Sequence, residues 1–134
     1  METKSRYANK TPKELIPIAV RYFNKYIKLR DSENGKFKCI SCGQIKPIDQ
    51  FNAGHYMAST YSPTRFDPLN VSGQCIACNC HKHGNLIFYR KGLIEKIGLE
   101  AVERLEVIAR MRHKWDRYTL IEIIETYKQK IKEL

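Results

Sequence analysis

The features that would place a chain in a membrane or in the secretory pathway are missing from this 134-residue sequence. No apolar run approaches the roughly 18 residues needed to cross a bilayer. The opening residues, METKSRYANK, contain no apolar core of a signal peptide and no cleavage site. Acidic residues are also scarce, since 14 aspartates and glutamates face 24 lysines and arginines. We therefore expect a cytoplasmic protein with no membrane partner.

Several enzyme motifs are absent as well. The sequence contains no glycine-rich phosphate-binding loop and no Gly-x-Ser-x-Gly nucleophile elbow, which argues against a P-loop NTPase or an α/β-hydrolase. Low-complexity sequence is also absent. The 43% of hydrophobic residues is ordinary for a globular domain that buries a core.

The charge balance indicates a polyanionic partner. The formal net charge is +10 and the sequence pI is about 9.5. Such an excess of basic residues attracts nucleic acid, the commonest polyanion in cells. A protein that is merely basic remains the alternative at this stage.

Four of the five cysteines form two Cys-x-x-Cys pairs, Cys39/Cys42 and Cys75/Cys78. In a reducing compartment such pairs are typical of metal sites, and four thiolates can close a tetrahedral structural zinc site. Free thiols or disulfides are the alternative, as is replacement of one thiolate by His81 or His83. Cys80 is expected to remain outside the site.

Helices are predicted on both sides of the cysteine segment. Residues 1–10 should form a solvated basic arm, and the pattern Thr11-Pro12-Lys13-Glu14 predicts a capping-box helix start. That helix should end at the Asn34-Gly35 turn, and its apolar stripe should face the core or a dimer partner. Regular helix should resume after Asn79. Three further helices are predicted, from Leu86 to Ile97 with Gly98 as its C-terminal stop, from Glu100 to about His113, and from a capping box at Thr119 to the end.

The spacing inside the cysteine segment resembles that of the HNH nuclease family. Counting from Asn70, the second cysteine pair follows at +5 and +8, and Asn79 at +9, while His55 lies upstream. The ββα-metal core of that family has a histidine on its first strand, an asparagine in the middle loop, and a histidine or asparagine at +9. Many members also carry two Cys-x-x-Cys pairs that bind structural zinc. This resemblance covers residues 37 to about 85.

A second set of short strings runs through and beyond the cysteine segment: Phe51-Asn52-Ala53-Gly54-His55-Tyr56, Arg65-Phe66, Asn70-Val71, Gln74-Cys75, Cys78-Asn79, Gly84-Asn85-Leu86, Tyr89-Arg90 and Leu93-Ile94-Glu95-Lys96-Ile97-Gly98-Leu99-Glu100. These strings resemble the NinG/Rap recombination proteins of lambdoid phages, and this narrower resemblance covers most of residues 37–134. It implies a structure-selective, phage- or prophage-encoded endonuclease that acts on branched DNA such as Holliday junctions and D-loops.

Phosphodiester hydrolysis suggests a role for each candidate residue. His55 is the candidate general base, because an imidazole can accept a proton from water near neutral pH. Asn70 would orient His55 or fix the loop that faces it. Asn79 and His83 are four residues apart, so on a helix they would share a face and could hold one Mg²⁺ or Mn²⁺ ion. Arg65, Lys82 and Arg90 are the candidate phosphate contacts.

One position departs from the HNH pattern. Many members have a metal-binding side chain immediately before the histidine base, whereas this chain has Gly54. Asn52, His81 or water would have to compensate. A structural role for His55, without catalysis, is the competing interpretation of the same residue.

We therefore predict an α+β fold in which a small zinc-stapled ββα-metal (HNH-like) core is flanked by N-terminal and C-terminal helices. Residues 1–36 would form the basic arm and first helix, residues 37–90 the nuclease core, and residues 91–134 a helical region. The predicted function is metal-dependent cleavage of branched DNA, and a twofold dimer through the terminal helices would suit a four-way junction. The alternatives are a non-catalytic zinc-containing DNA-binding module and a protein-interaction adaptor.

Overall fold

The computed structural model describes residues 6–134, so the first half of the predicted basic arm lies outside the described residues. Helix α1 spans Pro12–Asp31 and starts with the predicted capping box. The Glu14 N–H donates to the Thr11 hydroxyl at 3.3 Å, and the Thr11 N–H donates to the Glu14 carboxylate at 3.2 Å. Tyr7 is buried against the core, so the part of the arm around it is not the solvated tail that was predicted.

A three-stranded antiparallel sheet follows α1. Its strands are β1 (Ser32–Glu33), β2 (Lys36–Lys38) and β3 (Ile45–Pro47), in the order β1-β2-β3. Asn34 and Gly35 have φ values of 54° and 74°. These left-handed conformations form a two-residue hairpin turn, which is what the Asn-Gly pair predicts.

The second sheet positions the candidate base. Strand β4 (Phe51–His55) pairs antiparallel with β5 (Val71–Cys75), and His55 lies opposite Val71 at the open end of the pair. A loop of residues 56–70, with a short 3-10 helix at Ser62–Thr64, connects the two strands. All residues of β5 are buried because α1 covers one face of the pair and a later helix covers the other.

The segment after Cys75 is less regular than predicted. A π-helical turn spans Ala77–His81, and helix α2 (Leu86–Ile97) begins only after His83, Gly84 and Asn85, whose φ values are 49°, 86° and 44°. Three consecutive left-handed residues cannot continue a right-handed helix. The prediction of continuous helix from Asn79 is therefore wrong, whereas the bounds of α2 and its stop at Gly98 are confirmed.

Two C-terminal boundaries also differ from the predictions. Helix α3 spans Leu99–Ile108 and stops short of His113, because the following residues are mostly exposed and offer no face to bury. Helix α4 spans Arg117–Glu133, and its N-cap is Asp116, whose carboxylate accepts the Thr119 N–H at 2.8 Å. The predicted cap at Thr119 is thus wrong by three residues.

The terminal helices pack against each other within one chain. Phe23 of α1 contacts Tyr127 of α4 edge to face, with ring centroids 4.9 Å apart. Their shared core occupies the apolar stripe of α1, so the face considered for a dimer is buried inside the monomer. A second cluster joins α2 to α3 through Tyr89, Leu93, Val102 and Leu105. The α+β class is confirmed, with helices around two small antiparallel sheets.

No helix within residues 6–134 is both long enough and apolar enough to cross a membrane.

Candidate active site and metal centre

The four cysteines of the two Cys-x-x-Cys pairs converge on one point. Their sulfur atoms all lie within 4.8 Å of one another, and those of Cys42 and Cys75 are 3.9 Å apart. Sulfurs around a tetrahedral zinc ion with bonds of about 2.3 Å would lie about 3.8 Å apart. Cys80 is exposed and outside the group, as predicted. The donor set and spacing fit a structural metal such as zinc.

Backbone N–H groups favour the thiolate form of one of these cysteines, Cys39. Burial alone would raise the pKa of Cys39, but hydrogen bonds from the backbone of Cys75, Cys42 and Ser41 outweigh it and lower the pKa to about 7. The Cys75 N–H, at the end of β5, reaches the Cys39 sulfur at 3.4 Å. Burial instead raises the pKa of each of the other three thiols, Cys42, Cys75 and Cys78. Thiolates are the form that binds metal, so Cys39 is the most readily ionised ligand and a bound metal would displace the protons of the other three. With four protein ligands the site would be closed and structural.

His55, the last residue of β4, is held by the loop that follows it. Its Nε2 lies 2.9 Å from the main-chain oxygen of Arg65. A carbonyl oxygen can only accept, so Nε2 must donate and Nδ1 of the neutral ring carries the lone pair. Burial lowers the pKa of His55, and the nearby Arg65 charge lowers it further, although hydrogen bonds to the carbonyls of Arg65 and Ala53 oppose this. The neutral ring is therefore the form expected at pH 7, with Nδ1 able to accept a proton.

Asn70 fixes the loop that holds His55. The buried Asn70 side chain accepts the Met57 N–H at 2.8 Å and donates to the Thr64 carbonyl at 3.1 Å. Thr64 immediately precedes Arg65, whose carbonyl binds His55. Of the two roles predicted for Asn70, the geometry favours loop fixation, because no described hydrogen bond joins it to the imidazole.

A cleft of about 750 Å³ brings the candidate residues together. His55, Asn79, His83 and Arg90 all line it, and Arg110 lines it from the turn that follows α3. Asn79 and His83 do not share a helical face, because the π-helical turn and the left-handed His83 replace the predicted helix. They reach the same cleft by an irregular path.

Asn79 and His83 are the residues that could hold a divalent cation here. Asn79 is half-buried and His83 exposed in the lining of the cleft, and no side-chain hydrogen bond of either is described within residues 6–134. Among those residues, the four cysteines are the one group of three or more cysteine, histidine or carboxylate ligands close enough to share an ion. A cation in the cleft would therefore take its other ligands from water and substrate, as Mg²⁺ commonly does.

The three predicted phosphate contacts differ in availability. Arg90 is engaged by Glu106, with nitrogen–oxygen distances of 2.8 and 3.2 Å, and the Tyr56 hydroxyl donates to the same carboxylate. Lys82 is exposed beside the cleft. Arg65 lines a smaller cavity of about 210 Å³ that also touches His55. Of these three residues, only Arg90 has a carboxylate partner that would compete with a phosphate.

Arg110 is a cleft residue that the sequence analysis did not single out. Its only signal was membership of the basic segment Arg110-Met111-Arg112-His113-Lys114, which gave no reason to place it near His55. The turn that follows α3 brings it there.

The structure explains the glycine before His55. A Cβ atom at Gly54 would lie 2.1 Å from Oε1 of Gln74, the cross-strand neighbour of Asn52. The Gln74 side chain is fully buried, and its Nε2 donates to Ser41 Oγ at 2.9 Å and to the Gly84 carbonyl. Its Oε1 has no hydrogen-bond partner among the described residues. The space of the missing ligand is thus filled by the buried amide of Gln74. Of the substitutes considered for that ligand, neither Asn52 nor His81 lines the cleft.

Comparisons with known proteins give one consistent result. The family model described as the bacteriophage lambda NinG protein matches residues 2–134. Protein ninG of Salmonella phage P22 is 42% identical over 120 residues, covering 89% of this chain and 57% of that protein. Protein ninG of Escherichia phage lambda is 41% identical over 120 residues, covering 89% of this chain and 56% of that protein. The chain thus spans about half the length of these curated relatives, and no solved structure matches it.

Proposed function

The chain belongs to the NinG family of phage lambda-like proteins, and on that premise we propose that it is a metal-dependent, structure-selective DNA endonuclease of the HNH type. One observation carries the proposal. His55, whose Nε2 is held by the Arg65 carbonyl, lines a single cleft together with Asn79 and His83, the two candidate metal ligands.

The order of elements supports the HNH assignment. Antiparallel strands β4 and β5 precede α2, His55 ends the first of these strands, and Asn79 directly follows Cys78, the last cysteine of the two pairs. This is the ββα order that the sequence resemblance implies. The cysteine cluster would fix both ends of the arrangement, since Cys75 closes β5 and Cys78 lies in the turn that carries Asn79.

The cleft residues supply a general base for hydrolysis. His55 Nδ1 takes a proton from a water molecule, and the water oxygen attacks phosphorus as the bond to the 3′ oxygen breaks. The 5′-phosphate stays on one fragment, and the 3′ oxygen leaves as a hydroxyl after taking a proton from solvent. A Mg²⁺ or Mn²⁺ ion held by Asn79 and His83 would supply neutralisation of the developing negative charge. Arg110, which lines the cleft, and the exposed Lys82, which directly precedes the cleft residue His83, would bind the flanking phosphates.

The substrate assignment rests on charge and on the family. A net charge of +10 suits a polyanion. Branched recombination intermediates, such as Holliday junctions and D-loops, are what the NinG/Rap resemblance implies. The cytoplasm of a phage-infected bacterium is then the place of action. A dimer on a four-way junction would need a face other than the stripe of α1, which is already buried.

A substrate panel tests the proposal. Labelled linear duplex, single-stranded, flap and four-way DNA are incubated with Mg²⁺, with Mn²⁺, or with neither. We expect cleavage that requires a divalent cation, prefers branched DNA, and leaves a 5′-phosphate. Absence of cleavage on every substrate with either cation would overturn it, provided that the protein holds one equivalent of zinc.

A non-catalytic DNA-binding module is the second candidate. It is favoured by the contact between Gly54 and Gln74, which leaves the cleft without a ligand that many HNH enzymes possess. Such a module would bind branched DNA with a salt-dependent affinity and would show no cutting.

A further inference from the structure

The first turn of α2 exposes three consecutive apolar side chains. Leu86, Ile87 and Phe88 are 48%, 74% and 54% exposed, and the next residue, Tyr89, is fully buried. Large apolar groups that stand together in water commonly mark a binding surface. We call the exposed side chains of Ile87 and Phe88 the α2 tip.

The α2 tip adjoins the candidate active site. Leu86 and Ile87 line the cleft that contains His55 and Asn79. Phe88 lines a separate cavity together with Lys38 and Lys91. A molecule lying in the cleft would therefore touch Ile87, and it would have to extend over the start of α2 to reach Phe88. One molecule can therefore be both the substrate in the cleft and the partner of the α2 tip.

The surroundings of the α2 tip favour an anion. The Lys91 ammonium lies 5.3 Å from the centre of the Phe88 ring, and the first turn of α2 contains no acidic residue. No side chain caps this helix start, so the first main-chain N–H groups and the helix dipole add positive potential. An apolar surface within a positive rim matches nucleic acid, which offers phosphates beside flat apolar bases.

We propose that the α2 tip enters DNA at a branch point, where Ile87 and Phe88 contact unstacked base faces, and that this contact gives the preference for branched DNA. The inference rests on the proposed function and adds the feature that reads the substrate. Apolar wedges between stacked bases must first separate them. At a branch the stack is already interrupted, so the same contact costs less there than in a linear duplex.

The test compares the double variant Ile87→Ala/Phe88→Ala with Ile45→Ala. Ile45 is also an exposed isoleucine, at 63%, but it lies on β3 and outside the cleft. Affinities for a four-way junction and for a linear duplex of the same length are measured by anisotropy with Ca²⁺, so that binding is read without cleavage. A 2-aminopurine base at the branch reports unstacking by its fluorescence.

We expect the double variant to bind the junction about tenfold more weakly, in line with the loss of one base–aromatic stack, and to lose the fluorescence increase. Duplex affinity should stay within about twofold, and Ile45→Ala should match the parent protein in both measurements. Equal weakening on both DNAs, or no change on either, would overturn the inference. The inference would also be overturned if the parent protein and Ile45→Ala sedimented as dimers and the double variant as a monomer. The α2 tip would then be the contact between two copies of the chain.

The readouts separate this inference from the proposed function. A parent protein that binds junctions through the α2 tip but cuts nothing would leave the inference standing and remove the nuclease. If the parent protein cuts junctions and the double variant keeps the same preference for them, the nuclease proposal stands and the inference about the α2 tip is removed. Zinc content and circular dichroism of each variant confirm that it is folded.

Discussion

Replacing Gly54 with alanine probes the packing that fills the missing ligand position. The added Cβ would lie 2.1 Å from Oε1, 2.9 Å from Cβ and 3.0 Å from Cδ of Gln74. Gln74 can move away only by giving up its hydrogen bonds to Ser41 and to the Gly84 carbonyl. Overpacking costs about 1–3 kcal/mol and a stranded buried amide a similar amount, so we expect Gly54→Ala to destabilise the protein by about 3 kcal/mol.

A double-mutant cycle isolates this contact. In a Gln74→Ala background the amide is gone and only the tight Cβ contact remains, so Gly54→Ala should cost about 1 kcal/mol and the coupling should be about 2 kcal/mol. Urea unfolding of zinc-loaded protein, followed by circular dichroism, gives the four stabilities. A cost for Gly54→Ala that is the same in both backgrounds would refute the reasoning, because the clash would then not involve the Gln74 side chain.

Three further predictions concern the metal centre and the cleft. Cys75→Ser should abolish stoichiometric zinc by elemental analysis and lower stability by more than about 4 kcal/mol, whereas the exposed-thiol control Cys80→Ser should retain one equivalent. Because burial lowers the pKa of His55 from its ordinary value of 6.5, the single-turnover cleavage rate should fall to half of its plateau at a pH below 6.5. A half-maximal rate above pH 7 would contradict the neutral-imidazole assignment. Glu106→Gln should release Arg90 for phosphate and steepen the slope of log affinity against log salt by about 0.9, and an unchanged slope would show that Arg90 stays away from DNA.

Local patterns predicted much of the fold because they depend on neighbouring residues. The capping box at Thr11, the Asn34-Gly35 turn and the stop at Gly98 each satisfy backbone requirements within a few positions. The cysteine cluster was also predictable, since two Cys-x-x-Cys pairs are a spacing typical of structural zinc sites. The predicted cap at Thr119 failed because Asp116 offers a competing carboxylate that caps the same turn.

The cleft itself depends on contacts that no local pattern encodes. The spacing of four residues between Asn79 and His83 suggested one helical face. His83 lies outside a helix because it and the next two residues, Gly84 and Asn85, adopt left-handed conformations. The partner of Arg90 comes from α3, and the obstacle to a side chain at Gly54 comes from the neighbouring strand. The Gly-Asn pair was a visible signal for the turn. The other two contacts depend on how α2, α3 and the β4–β5 pair pack together.

The claim that His55 is the general base is tested most directly by the rate at which His55→Ala cuts a four-way junction. The variant should retain one equivalent of zinc and the junction affinity of the parent protein. Its single-turnover rate with Mg²⁺ should fall by about 10²–10⁴-fold, the usual contribution of general-base catalysis. An unchanged rate in a zinc-loaded, DNA-binding variant would contradict the account.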